Sequence, residues 1–597
     1  MKSHHFHTLS NVSFNKSSSW SYFSELLFFS SHPSKLTNPC KNFHQSFLSN
    51  PKSTHSSTKF YNNSQNIKRL AIIGGGAAGL MSAVFAQTQA LQTISKNRKN
   101  SNTIEIYVLE RKPQCGRKIL MSGGTRCNLL PHESKWPKTL KDISQDESNH
   151  NYGHADLELK YFTKSPELLI DILKTWSIEK QKEFFEKQLN ISLELEEETG
   201  KYFPESNDAK QVLNSFLQFI QERNTEQVKV KIITDCNVNG LEKDEFGNWK
   251  ISFLDEQQSK FSQQEHQSQQ FICHSVILSS GGLSVINSDG YGIQLLSQLG
   301  HEIIPLYPAL NPLIYNPEVK HIHKELSGVT LPNVMVSVYL NEDSSNEKGK
   351  NKILLYQSLE PKGFLFTHTG YSGPDILNAS HATIYGLFQD EKPPPSSQHC
   401  STKDFQESAE NISHSAYAKI GKSTIEKLIY KIPGTQKHSV SLHVNWTPQI
   451  SAQEWDNKFT LAQKQHSKLL VKNFIHKNSE PNFLPIRLIE LITDSVNLSD
   501  LSVSKLSHSQ KRQIISQLTN FELPFQPNMS FKKAEVTGGG VRLDQVSTKT
   551  LESKLHSNLY LCGEVLDVFG CIGGFNFAWA WISGRLSGIS SMRKLLK

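Results

Sequence analysis

Residues 69–80 read RLAIIGGGAAGL, and Gly74, Gly76 and Gly79 fall in G-x-G-x-x-G spacing. Leu70–Ile73 is a short apolar run of the buried-strand kind, and a stretch of good helix formers starts at Ala77. A strand, a glycine turn and a helix start in that order make a dinucleotide-binding turn. Gly74 allows the tight bend, Gly76 lets a pyrophosphate approach the backbone, and Gly79 lets the helix pack close to the strand. At the helix start, Ala77 and Ala78 offer the phosphates unpaired N–H groups and a partial positive charge.

A second strand, Ile104 to Leu109, ends in Glu110. An acid there is placed to hold adenosine ribose hydroxyls, and the polar SKNRKNSNT loop accounts for its long spacing from Gly79. The alternative is a solvated strand-end carboxylate. Arg111 follows, then Cys115-GRKILMSGGTRCNLL-Pro131. Arg117, Lys118, Gly124, Arg126 and Asn128 give this loop the cations, N–H donors and amide of a phosphate-and-flavin clamp. Composition alone would leave it a basic turn.

Later segments repeat the strand-then-glycine pattern. Phe271 to Ser279 is an apolar run ending in Ser280-Gly281-Gly282. Asn558 to Cys562 reads as a buried strand, followed by Gly563-Glu564, with Asp567 close by. Gly573, Gly574, Phe575 and Asn576 then open a helix whose Trp579 and Trp581 are expected in the core. His368, Thr369 and Tyr371 in FTHTGYSGP offer proton exchange and hydrogen-bond donation to a substrate. A tight turn with a satisfied His is the bland reading of the same residues.

The segments IIGGGAAGL, LERKPQCGRKILMSGGTRCNL, KAEVTGGGV and LYLCGEVLDVFGCIGGFNFAWAWISGRLSG together resemble the BaiN-like (YhiN-type) flavoproteins, in the same order along the chain. The resemblance covers most of residues 69–597 and implies an FAD-dependent oxidoreductase. Thr125 stands where that family usually carries a third Gly, and Ser279-Ser280 replace the Ala-Thr of its ATGG turn. By the same resemblance, Val238 is the candidate for an adenine contact through its backbone, Gly281 and Gly282 pass beside the cofactor, and Glu564 or Asp567 bonds the ribityl chain. The helix opened by Gly573 and Gly574 aims its N-terminus at the flavin ring, where it would stabilise negative charge on the reduced form. His368 and Tyr371 are the catalytic candidates.

The elements that position these residues read as α/β: a Rossmann-like FAD-binding domain of the glutathione-reductase-2 (GR2) type carrying an insertion. The expected division is residues 1–67 as a transit segment, 68–307 as the first part of the FAD domain, and 308–447 as an inserted β-rich, barrel-like domain with a long loop at 388–436. Residues 448–528 follow as an inserted helical domain, and 529–597 return to the cofactor. No second GxGxxG strand–turn–helix unit is found, so a dedicated nicotinamide domain is not expected. NAD(P)H remains a transient donor at the flavin face.

The chain has 597 residues and a net charge of +8, but the first 67 hold six Lys and one acid, Glu25. That segment accounts for +5, and the +3 left over some 530 residues argues against a nucleic-acid surface. The eight Cys form no CxxC pair, so neither a zinc site nor a dithiol redox motif is indicated and no metal is expected. Apolar runs fall short of the roughly 18–20 residues of a membrane span. Three function classes remain: an FAD enzyme acting on a small organic molecule, by C=C reduction or by amine or ketone oxidation; a flavin-dependent RNA-modifying enzyme; and a non-turnover flavoprotein redox sensor. The first is favoured. Oligomeric state is not legible.

The Ser-rich, acid-poor N-terminus has transit-peptide composition, and its lack of Arg before Arg69 favours the plastid stroma over the mitochondrion. The native protein is therefore expected to start near Ile67. N-terminal sequencing checks this, and an intact Met1 or Lys2 start rejects it.

Overall fold

The computed structural model describes residues 67–96, 102–137, 140, 160–255, 269–317, 325–342, 351–387, 422–431, 438–481 and 483–597. Residues 1–66 of the expected transit segment and most of the 388–436 loop lie outside the described residues.

The organising layer is a five-stranded parallel sheet. In chain order its strands are β1 (Ile67–Ile73), β2 (Thr103–Leu109), β7 (Val228–Ile233), β11 (Ser275–Leu278) and β22 (Leu559–Leu561), and their spatial order is β22-β11-β1-β2-β7. Leu70–Ile73, Val276–Leu278 and Leu559–Leu561 are wholly buried, as strands covered on both faces must be, which is why they read as continuous apolar runs. The sheet joins the two sequence ends: Val276–Leu278 pair with Leu559–Leu561 on one side, and with Ala71–Ile73 on the other.

The remaining strands form smaller layers. A mini-sheet contains β3 (Leu130–Pro131), β5 (Leu193–Glu196) and β6 (Lys201–Pro204), while β4 (Tyr161–Phe162) pairs with β23 (Phe569–Gly570). Strands β8 (Cys236–Lys243), β9 (Trp249–Asp255) and β10 (Gln269–Cys273) make an antiparallel sheet, and β12 (Ile303–Ala309) pairs with β21 (Val536–Val541). The inserted region holds an eight-stranded antiparallel sheet of β13 (Leu313–Tyr315), β14 (Thr330–Glu342), β15 (Asn351–Gln357), β16 (Lys362–Phe366), β17 (Gly370–Ser372), β18 (His438–Asn445), β19 (Phe521–Glu522) and β20 (Phe525–Gln526). Its pairing order runs from β19 to β20, and these end strands do not pair with each other among the described residues. Helices of residues 452–519 share one apolar cluster with this sheet, through Trp446, Trp455, Phe459 and Ile489.

Three helices matter for the site: α1 (Ala77–Lys96), α2 (Arg117–Met121) and α3 (Phe575–Leu595). Helices α1 and α3 lie in near backbone contact. A Cβ on Gly584 would stand 2.4 Å from the Ala78 carbonyl oxygen, and one on Gly588 the same distance from that of Ser82. Ser82 Oγ lies 3.0 Å from the Gly584 carbonyl and 3.1 Å from Ser587 Oγ, tying the seam with hydrogen bonds. Trp579 and Trp581 are buried as expected, with their indole N–H groups donating to the Gly563 and Leu129 carbonyls at 3.1 and 3.0 Å.

Gly588→Val puts three carbons where α1 backbone already sits, and is expected to destabilise the fold by about 1–3 kcal/mol. Denaturation midpoints of the full chain check this; an unchanged midpoint would show that the seam can open.

Candidate functional site

The first glycine turn divides its work. A Cβ on Gly74 would stand 2.6 Å from the Ser279 carbonyl oxygen, and one on Gly79 would stand 1.9 Å from that of Gly74. Those two glycines serve close packing of strand and helix. A Cβ on Gly76 meets nothing within 4 Å. It faces an open cradle at the start of α1, whose first turn carries no acid. Ala78 lies beside Gly563, where an added Cβ would approach its side chain to 2.9 Å. Ala77 opens α1 itself.

Glu110 is not a solvated strand end. Its Oε2 accepts from Gly75 N–H and its Oε1 from Lys112 N–H, both at 2.8 Å. Burial pushes its carboxyl above the ordinary range, partly offset by these bonds and by the Lys112 and Arg117 charges. Cys236 N–H donates to the Glu110 carbonyl at 2.9 Å, which brings the start of β8 alongside. Val238, the adenine candidate, is fully buried within β8 and opposite Phe253.

The basic loop is mostly committed to protein. Arg111 pairs with Asp289 at 2.5 Å, and Arg117 donates to the Ile286 carbonyl at 3.3 Å. Arg126 pairs with Glu196 at 3.1 Å, with its guanidinium 3.9 Å from the Phe203 ring centroid. The loop was expected to turn its cations to a phosphate; in the structure each of the four has a protein partner among nearby carboxylates, a hydroxyl, a carbonyl and an aromatic face. Lys118 differs in pairing with a second acid that was singled out for the cofactor. Its ammonium contacts Glu564 and donates to Ser284 Oγ at 2.8 Å.

Glu564 is the centre of a network that crosses the chain. Its Oε1 accepts from Thr537 N–H at 2.6 Å and from Ser284 Oγ at 2.9 Å. Thr537 Oγ1 in turn accepts from Leu283 N–H at 2.7 Å. Burial alone would raise the Glu564 carboxyl, but Lys118 and these donors hold it below its ordinary value. The carboxylate borders the Gly281–Gly282 turn, 3.9 and 3.0 Å from where their Cβ atoms would stand. Asp567, the other acid considered, is not part of this network. It is 5% exposed, accepts from Lys164 N–H at 2.9 Å, and is pushed up to about 6 by burial.

The late glycine turn meets the early loop. With its amide oxygen facing Gly574, Asn128 accepts from that N–H at 3.0 Å and donates to the Leu130 carbonyl at 3.3 Å. Gly574 has φ 94°, and a Cβ there would lie 2.5 Å from the Leu130 carbonyl carbon. Gly573 borders open space except for the Phe575 ring. Helix α3 starts here with no side-chain cap and no acid in its first turn. Phe575 stacks on Trp136, interplanar angle 3°, and the Asn576 amide is spent on both backbone groups of Gly570 at 2.8 Å. Asn576 therefore braces the turn. Gly123, Gly124 and Thr125 are all left-handed, with φ 56°, 65° and 70°. Thr125 keeps the path a glycine would take, at a strain of about 1–3 kcal/mol, and a Cβ on Gly124 meets nothing within 4 Å.

The two catalytic candidates are corrected. Tyr371 is 1% exposed in the core of the inserted sheet, and its hydroxyl donates to the Pro524 carbonyl at 2.8 Å. Burial and that bond occupy the group that was to serve a substrate. His368 is exposed and lies 2.9 Å from Ser327 Oγ, the satisfied turn histidine of the bland reading.

Sequence reasoning missed Thr537 and Ser284, although KAEVTGGGV had been singled out as a motif. It also missed the polar face of the helix Pro374–Tyr385, where Asp375, Asn378 and His381 recur every third residue. Asn378 Oδ1 accepts from Ile572 N–H at 2.8 Å, joining the inserted region to the late glycine turn. Burial pulls His381 down to about 4, so its ring is neutral near pH 7.

A family model described as "HI0933-like protein Rossmann domain" matches residues 68–590. A 3-dehydro-bile acid delta(4,6)-reductase of Clostridium scindens is 24% identical over 524 residues, 87% of this chain and 98% of that protein. A ribosomal RNA dihydrouridine synthase of Haemophilus influenzae is 24% identical over 543 residues, 88% of this chain and 98% of that protein. Among solved structures, the open conformation of a flavocytochrome c3 fumarate reductase aligns with TM-score 0.38 at 9% identity, covering 90% of this chain and 80% of that one.

Asp375 gives the site's surroundings a pH signature. Burial pushes its carboxyl up to about 7, and its oxygens both lie 2.7 Å from Ser358 Oγ. The unfolded chain ionises the group near pH 4, so folding takes up a proton between about pH 4 and pH 7, and stability falls as pH rises through that window. Asp375→Asn is expected to make the fall shallower by up to about 1.4 kcal/mol per pH unit. Urea midpoints across the window check this, and superimposable profiles for parent and variant would contradict it.

Proposed function

The chain belongs to the HI0933-like Rossmann family, and from that premise we propose that it is an FAD-dependent reductase of carbon–carbon double bonds conjugated to a carbonyl. The enzyme class, FAD-dependent oxidoreductase, follows from the family and its relatives. The observation that carries the finer reading is shared by two relatives. One is a delta(4,6)-reductase of a 3-dehydro bile acid, and the other makes dihydrouridine in ribosomal RNA. A 3-oxo-4,6-diene and a uracil ring are chemically distant, but each presents a C=C bond activated by a conjugated carbonyl. Oxidation of an amine or ketone, which the motifs left equally open, has no such support.

The residues present fit FAD. Gly76 and Gly124 leave cradles that a Cβ would fill, and two helices start without acids in their first turns. The Gly76–Ala78 turn would hold the diphosphate, Glu110 the adenosine ribose, Glu564 with Lys118 the ribityl chain, and the Gly573–Phe575 turn the ring. When bound, FAD supplies hydride transfer to and from carbon. The chain's own part is to orient and polarise. The start of α3 sets a partial positive charge beside Gly574, and Asn128 fixes the turn that carries it. Trp136, Tyr161 and Phe575 pack edge-to-face and stacked, with ring centroids 5.7–6.2 Å apart, and exclude water behind the turn.

The donor we propose is NAD(P)H, acting without a domain of its own. Anaerobic spectroscopy of the FAD-loaded protein tests both steps. Reduced nicotinamide should bleach the flavin, and an enone or a uridine-containing RNA should restore its colour. Bleaching by an amine or α-ketoamine, with none by NADH or NADPH, would reverse the assignment to an oxidase.

A further inference from the structure

Lys160 is tied by its backbone to the late glycine turn. Strand β4 pairs with β23, Tyr161 opposite Gly570, and Cys571 N–H extends the ladder by donating to the Lys160 carbonyl at 2.8 Å. The Tyr161 hydroxyl donates to the Phe575 carbonyl at 3.0 Å, so this stretch is fastened to both ends of the turn. Ile572 and Gly573 are half-buried, and a Cβ on Gly573 would meet only the Phe575 ring, at 3.6 Å. That ring bounds the open side of the turn, and the Lys160 ammonium stands 5.8 Å from its centroid. The inserted region closes on the same stretch of chain. Glu360 meets Lys135 at 2.6 Å, Tyr385 accepts from Lys164 at 2.7 Å, and Asn378 accepts from Ile572 N–H at 2.8 Å. Lys160 therefore stands where the insertion meets the late turn, which is the place for a substrate of a ring held at that turn.

Adding hydrogen across an activated C=C bond takes a hydride and a proton, delivered to adjacent carbons. The hydride belongs to the cofactor, and the proton needs an acid at the site. The other proton-bearing side chains around the turn are spent. Tyr161 is bonded to Phe575, the Asp375 carboxyl is fully buried against Ser358 Oγ, and Asn378 is fully buried and held by Ile572. His381 Nδ1 lies 2.7 Å from the Asn378 carbonyl, and its neutral ring is centred 3.7 Å from that of Phe162. Burial pushes the Cys571 thiol up. Among the described residues the Lys160 ammonium has neither an ion pair nor a hydrogen bond, and at 9% exposure it keeps a narrow path to water. Burial lowers its pKa, Lys362 and Lys135 lower it further, and Cys571 and Glu360 oppose them. An ammonium in such surroundings gives up its proton more readily near neutral pH.

We propose that Lys160 is the acid of this reaction, handing a proton to the substrate carbon next to the carbonyl while hydride is delivered to the carbon beyond it. The inference rests on the reading of the chain as a reductase of conjugated C=C bonds, and on the Gly573–Phe575 turn as the flavin-facing one. The step balances. The C=C π bond and one Lys160 N–H bond break, and one C–H bond forms at each of the two carbons. The hydride brings its own electron pair, which comes from the NAD(P)H donor. The π pair takes the proton and leaves Lys160 a neutral amine. A proton from water restores the ammonium, so one turnover consumes one NAD(P)H and one solvent proton.

The test uses the full chain loaded with FAD and reduced anaerobically with light and EDTA, with cyclohexenone as the probe. Return of the flavin's visible absorbance reports transfer to the probe. Lys160→Gln should slow that return by about a hundredfold or more. Lys160→Arg keeps the charge but does not release its proton, and should be as slow as the Gln variant. An Arg variant as fast as the parent reduces Lys160 to a charge and overturns the inference. The parent's rate should fall as pH rises through the pKa of Lys160, below the ordinary lysine value of about 10.4, and both variants should lose that fall. A second readout involves no turnover and no variant: competitive acetylation of the parent's lysines across pH should give Lys160 a pKa below that of exposed lysines. An ordinary value overturns the inference, even where a substitution costs the protein its flavin. The two levels separate cleanly. A Gln variant that keeps FAD and is reoxidised at the parent's rate sinks only the role of Lys160, while a parent whose reduced flavin the probe does not reoxidise sinks the reductase reading and this role with it.

Discussion

The structure depends on one seam, the contact of α1 with α3 across Gly584, Gly588 and Ser82. Ala78 meets Gly584 and Ser82 meets Gly588, so both helices advance four residues together and run parallel. Parallel helices present their positive ends on the same side. Where α1 begins at Ala77, level with Ser583, α3 is already eight residues past Phe575, a lead of about 12 Å at 1.5 Å per residue. The two N-termini are thus staggered along one line, and a long dinucleotide can meet the first with its diphosphate and the second with its ring. Larger residues at the seam would separate the helices and lose the stagger with the contact.

The seam alone would leave the cleft between its ends unlined. The Glu564 network supplies the lining, because it draws one residue from each returning segment: Lys118 from the early loop, Ser284 after β11, Thr537 from β21 and Glu564 after β22. A buried carboxylate in this position needs its donors, and each donor is held by a different strand of the chain. The network therefore fixes the cleft's floor through the same group that would face the cofactor.

What was legible in the sequence was local. Gly74, Gly76 and Gly79, the strand before them and the helix after them are contiguous, and their spacing carries its own geometry. Glu564 and Gly574 were legible for the same reason. Asp567 and Tyr371 were not, because their fates are set by distant partners: a backbone N–H at Lys164 and a carbonyl at Pro524. No periodicity announces such contacts. Arg111, Arg117 and Arg126 show the same limit. A basic loop reads as a ligand clamp until the fold brings Asp289, Ile286 and Glu196 to it.

Charge illustrates why an average misleads. A balance of +3 beyond residue 67 is nearly neutral for a surface of this size, and it argues against a polyanionic ligand as long as charge is spread evenly. Electrostatic attraction, however, falls off within about 8–10 Å at physiological salt, so a ligand feels only the charges around its own seat. Lys135, Lys160 and Lys362 lie tens to hundreds of residues apart in sequence, yet their charges all act on Glu360. The fold, not the composition, decides what such a protein can hold, and here it sets three lysines of distant segments around the single carboxylate of Glu360.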